Sequence, residues 1–200
     1  MDSTVLAIIT AEARPVIAAS VIDTSTNTVE SELSDIRRRR ATLMRIAMAS
    51  DHAGRALKEE IKALLTAGGH EVLDFGTDTD DPADLPDYVL PATLAVARRE
   101  VDGGIFVDGV GYGSAMIANK VAGVFAAVCQ DSFCAELARS HSDTNVLCIG
   151  GKIIGSAIAL EIVRVWMSTD WLGATAAGEK YARRVQKVKD IDARYRVPQD

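Results

Sequence analysis

The stretch Gly104-Ile105-Phe106-Val107-Asp108-Gly109-Val110-Gly111-Tyr112-Gly113-Ser114 decides the reading of this chain. Gly104 to Val107 is an uncharged run, as a strand covered on both faces requires, and the alternating glycines after Asp108 form a turn leading into a helical segment from Ser114 to Lys120. Glycines at every second position let backbone N–H groups approach an anion without side-chain interference, and a helix N-terminus adds a favourable dipole. One carboxylate beside such a cradle suggests proton-transfer chemistry, with Asp108 as its carrier. The competing structural role for Asp108 is to cap the turn that follows it.

Outward from this turn the pattern repeats. Short apolar runs alternate with longer segments of helical period, predicting strands at Ile46 to Ala49, Glu71 to Phe75, Gly104 to Val107, Val124 to Val128 and Val146 to Ile149. The expected fold is α/β: a Rossmann-like, open, parallel five-stranded sheet with helices on both faces and a further C-terminal helix. Arg55 to Ala67 carries an apolar stripe of Leu57, Ile61, Leu64 and Leu65, stopped by Gly68-Gly69, and Ala176 to Tyr195 reads as a basic surface or interface helix. The residues of chemical interest follow strand C-termini, where open α/β sheets bind ligands: Asp51 and His52, Asp108, Asp131, and Gly150-Gly151-Lys152.

Composition sets the bounds. A chain of 200 residues with 48% hydrophobic and 25% charged residues matches one globular domain with an appendage. A net charge of −6 and 5% aromatics disfavour nucleic acid as a partner, while scattered basic residues leave room for a local phosphate pocket. No run of 18 apolar residues predicts a membrane span. Cys129, Cys134 and Cys148 form neither a disulfide framework nor a metal-binding spacing, which points to a reducing, cytoplasmic setting. Because Met44-Arg45-Ile46-Ala47-Met48 reads as the natural start of the first strand, residues 1–43 are expected to be a poorly ordered extension or a misassigned translation start, and residues 44–200 a single domain.

Four segments then fall into one order: Ser50-Asp51-His52-Ala53-Gly54, the Asp108 to Gly113 turn, Ala118-Asn119-Lys120, and Ser140-His141-Ser142-Asp143-Thr144-Asn145. Over about residues 44 to 196 the chain resembles the type B ribose-5-phosphate isomerases and their galactose-6-phosphate isomerase relatives. The resemblance implies aldose to ketose isomerisation through an enediolate, with neither metal nor other cofactor, in a homodimer or dimer of dimers whose sites draw on two chains. It implies an anion hole from the backbone of Gly109, Gly111 and Gly113, ring opening by His141, and substrate or phosphate contacts from Asp51 and His52. It extends substrate-binding roles to Ser114, Asn119, Ser142, Lys152, Lys180 and Arg184, the last on a C-terminal helix that serves the partner's site.

The chain also departs from the family pattern. Asp108 stands where many members carry a cysteine base, Ser114 where another subgroup uses a glutamate, Val110 where a threonine is usual, Asp84-Leu85-Pro86 where Asp-Tyr-Pro is usual, and Lys152 and Lys180 where arginines are common. For Asp108 to serve as base, burial beside Val107 and Val110 is expected to raise its pKa. A pentose phosphate is the expected substrate, with four- to six-carbon sugar phosphates or non-catalytic sugar-phosphate binding as alternatives. A dinucleotide-binding module is disfavoured because the third glycine comes one residue early and the turn follows the third strand.

Overall fold

The computed structural model describes residues 43–195, so the expectation for the N-terminal extension lies outside the described residues except at its last position. From Met44 the chain builds five parallel strands: β1 (Arg45–Ser50), β2 (Glu71–Asp74), β3 (Gly103–Asp108), β4 (Ala126–Val128) and β5 (Val146–Gly150). Their order is β2-β1-β3-β5-β4, with β3 paired to both β1 and β5. The described helices are α1 (Arg55–Ala67), α2 (Leu85–Ala97), α3 (Tyr112–Ala118), α4 (Ser132–Ser142), α5 (Ser156–Ser168) and α6 (Glu179–Tyr195). None of them is long and apolar enough to cross a membrane.

Alternation along the strands divides the core in two. On one face Ile46, Met48, Ile105, Val107, Leu147 and Ile149 meet α1, α4 and α5 through Leu57, Ile61, Ala135, Ile162 and Trp166. On the other, Ala47, Ala49, Phe106, Val146 and Cys148 pack against α2 and α3 through Val89, Ala92, Val96 and Ala118. The strand order reverses direction at β1, so the connections leaving β1 and β3 part on opposite sides and open a crevice at their C-terminal ends. Asp51 and His52 follow the end of β1, and Asp108 is the last residue of β3.

Several boundaries differ from the sequence pattern, most by one residue at a strand end. The fourth strand begins at Ala126 rather than Val124, because Val124 N–H closes a turn on the Val121 carbonyl and Phe125 N–H donates to the Asn145 side chain. Helix α3 starts two residues early, its N-cap being Gly111 with φ 84°, a left-handed conformation that favours glycine. Helix α6 starts at Glu179, preceded by a short 3-10 turn over Ala176–Gly178.

Candidate active site

Asp108 is 4% exposed, and its carboxylate is held from three directions. Oδ1 accepts the N–H groups of Val110 at 2.8 Å and Gly111 at 2.5 Å, and Oδ2 accepts that of Ser114 at 2.8 Å. The glycine turn therefore is an anion cradle, and the anion in it belongs to the protein. Gly109 and Gly113 take no part in that ring of donors. Burial is the largest single influence on the Asp108 carboxyl and pushes its pKa up, but Ser114, Val110 and Gly111 together outweigh it and hold the pKa below the usual carboxylate value. This corrects the expectation of a raised pKa: apolar Val107 and Val110 are present, but the turn's own donors favour the ionised form.

Ser114 is fully buried, so it reaches a ligand only through Asp108. Its hydroxyl lies near enough to favour the anion, yet makes no hydrogen bond of good geometry.

The loop after β1 packs directly on this turn. A β-carbon on Gly54 would collide with the Val107 carbonyl, so glycine there lets the start of α1 reach the end of β3. Asp51 Oδ1 accepts the N–H groups of Ala53 at 2.9 Å and Gly54 at 3.1 Å, which shapes the loop. His52 Nδ1 accepts the Ala83 N–H at 3.2 Å, leaving Nε2 as the protonated nitrogen of the neutral ring. Lys152 joins from the loop after β5, its N–H donating to the Gly109 carbonyl at 3.0 Å and its stem running beside Gly109. Leu85, at the start of α2, covers Gly113.

His141 and Ser142 lie elsewhere, in the last turn of α4. With Asn119, Thr144, Tyr181, Arg184, Val185 and Val188 they line a cleft of about 420 Å³, a wall shared with neither Asp51, His52, Asp108 nor Lys152. Arg184 stands in this wall as expected, and Lys180 sits one turn earlier on α6 with its Nζ 4.8 Å from the Tyr181 ring centroid. Asn119 is spent on structure: its amide donates to the Ala126 carbonyl and accepts the Ala126 N–H, both at 2.9 Å, clamping β4. The described chain thus carries two groups of candidate residues, one around Asp108 and one around His141.

Two features escape a reading of spacing alone. Tyr181 stacks on His141 with ring centroids 4.0 Å apart, and its only sequence signal is an aromatic residue in a basic helix segment. Lys58, a helix residue 1% exposed, pairs with Asp74 at the end of β2 at 2.6 Å and with its neighbour Glu59 at 2.9 Å, and the contact with Asp74 forms only once α1 packs on β2.

Fold and site together define a class: a Rossmann-like α/β protein with a carboxylate-bearing glycine turn at the C-terminal edge of its sheet. The chain matches the Ribose/Galactose Isomerase family over residues 46–188, and it belongs to that family of aldose-ketose isomerases. It is 42% identical to ribose-5-phosphate isomerase B of Escherichia coli strain K12 over 152 residues, 76% of this chain and 99% of that protein. It is 35% identical to the 4-deoxy-4-sulfo-D-erythrose isomerase of Clostridium sp. strain MSTE9, over 63% of this chain and 80% of that one. Among solved structures, the ribose-5-phosphate isomerase B of Clostridium thermocellum superposes with a TM-score of 0.73 at 40% identity, covering 76% of this chain and all of that one.

Proposed function

We propose that this protein interconverts ribose 5-phosphate and ribulose 5-phosphate through an enediolate, with Asp108 moving the proton between C1 and C2. The observation that carries the reading is the Asp108 carboxylate at the β3 end, held by three N–H groups beside the Asp51–His52 loop and Lys152. A carboxylate offers about four lone-pair directions, and the three donors leave one on Oδ2 to receive a proton from carbon. Its low basicity in the free protein changes on binding: excluded water and an anionic phosphate both disfavour the charged carboxylate and raise its pKa. Gly109 and Gly113 N–H remain for the substrate oxyanion, and Lys152 supplies a cation.

In this reading the group around His141, with Ser142, Lys180 and Arg184, opens the sugar ring and binds phosphate in the site of a second copy. The exposed Tyr112, Met116 and Phe133 give a surface on which that copy would rest, so a homodimer with shared sites is part of the proposal. A cytoplasmic setting accords with three free thiols.

A coupled isomerase assay over four- to six-carbon aldose and ketose phosphates tests the proposal; turnover of ribose 5-phosphate is expected, and silence across the panel defeats it. Leu85 and Val110 favour a second reading, a four-carbon substrate, because each places an apolar side chain where the family commonly has a hydroxyl. Preference for erythrose 4-phosphate in the same panel would select it. Calorimetric binding without turnover would instead mark a non-catalytic sugar-phosphate sensor.

A further inference from the structure

His141 sits in the last turn of α4, half-exposed, and among the described residues no hydrogen bond reaches either of its ring nitrogens. The ring torsion of a histidine is broad when nothing restrains it, so an imidazole in this position would sample many orientations. The Tyr181 ring restrains it. The two rings are stacked, 4.0 Å between centroids and 14° from parallel. Tyr181 is itself held: Lys180 Nζ lies 4.8 Å and Arg184 Cζ 5.9 Å from its ring centroid, and Val185 beside them is buried in the cleft. Cations at such distances are attracted to the ring's negative face. One aromatic side chain thus touches an imidazole and two cations, and His141, Tyr181 and Arg184 share the cleft wall with Ser142, Thr144 and Asn119 as uncharged neighbours.

We infer that Tyr181 is a positioning residue, which fixes the plane of His141 for the ring-opening step. The inference rests on the isomerase reading above. In that step a solvent water takes the proton of the anomeric hydroxyl, the C1 carbonyl forms as the bond between C1 and the ring oxygen breaks, and the ring oxygen takes a proton from the His141 imidazolium, which solvent then reprotonates. Such a transfer needs the donor nitrogen within hydrogen-bond reach of the ring oxygen, a condition that ring rotation destroys. Enolisation of the open-chain ketose needs no such transfer, and the two steps can be separated.

The test compares Tyr181→Phe, which keeps the ring, with Tyr181→Leu, which removes it. Tyr181→Phe is expected to match the wild type. Tyr181→Leu is expected to isomerise ribose 5-phosphate roughly tenfold more slowly, the scale of one lost aromatic pair, while C1 hydrogen exchange of ribulose 5-phosphate in D2O keeps its wild-type rate. Independently of turnover, the His141 ring-proton resonances should lose their ring-current shift in Tyr181→Leu and keep it in Tyr181→Phe. The chain has three histidines, so His141→Gln assigns the signal. Unchanged isomerisation in Tyr181→Leu, an equal fall in isomerisation and exchange, or unmoved His141 resonances would each overturn the inference. A wild type silent in both assays defeats the isomerase reading, and the resonance comparison then still decides whether Tyr181 holds His141.

Discussion

The Asp108 carboxylate accepts the Ser114 N–H at 2.8 Å, so the last residue of β3 also caps the first turn of α3. This single contact ties the proposed chemistry of the turn to its stability.

Asp108→Asn separates the two roles. An amide cannot accept at both ends, so one of the three N–H donors faces an NH2 group, and stability is expected to fall by about 1.5–3 kcal/mol, the worth of a hydrogen bond to a charged group. Turnover should fall about 10²- to 10⁴-fold if the carboxylate is the base. Thermal melting with the isomerase assay checks both; a destabilised variant with full activity would leave Asp108 as a cap alone.

Acid should unfold the protein through Asp108 and Asp74. For Asp74, as for Asp108, burial pushes the pKa up, but the partners prevail, here Lys58 and Lys62, and the carboxyl sits below its usual value. A group whose folded pKa is depressed stabilises the fold above its unfolded pKa, about 3.9, and that stabilisation is lost as pH falls through the folded pKa. The melting temperature is thus expected to hold from neutral pH to about 5 and to drop below about 4, less steeply in Asp108→Asn. A melting temperature indifferent to acid would contradict this.

Trp166 is the largest fully buried side chain, and its Nε1–H donates to Thr144 Oγ1 at 3.0 Å, with the Arg139 guanidinium 5.3 Å from its ring. Trp166→Ala is expected to cost about 3–5 kcal/mol through the cavity it leaves. Trp166→Phe keeps most of the packing and should cost about 1–3 kcal/mol for the stranded Thr144 hydroxyl. Denaturant titration distinguishes them; equal losses would assign the energy to the polar pair.

The thiols should divide by burial. Burial, with Cys134 and Asp131 nearby, pushes Cys129 up to about 12, and Cys148 is buried and also raised, whereas Cys134 is exposed but raised by its hydrogen bond to Asp131. Iodoacetamide at pH 8 is expected to label only Cys134 in the native protein, slowly, and faster in Asp131→Asn. Native-state labelling of Cys134→Ser by mass spectrometry would refute the assignment.

What this chain's sequence determined by itself is local. Strand and helix periods arise from neighbouring side chains, so β1 to β5, the α1 stripe and the site turn at Asp108 were legible, and so was the family from four motifs in order. The tertiary structure decided how those groups are used. Burial pushes the Asp108 pKa up, but the Ser114 side chain and three backbone donors outweigh it and leave the pKa lowered where a raised one was expected, because the competing effects act through space and only packing sets their balance. Asn119 was a candidate ligand contact until β4 arrived to take both ends of its amide. Tyr181 and His141, forty positions apart, meet only because α6 folds back on α4, a distance that no sequence period records.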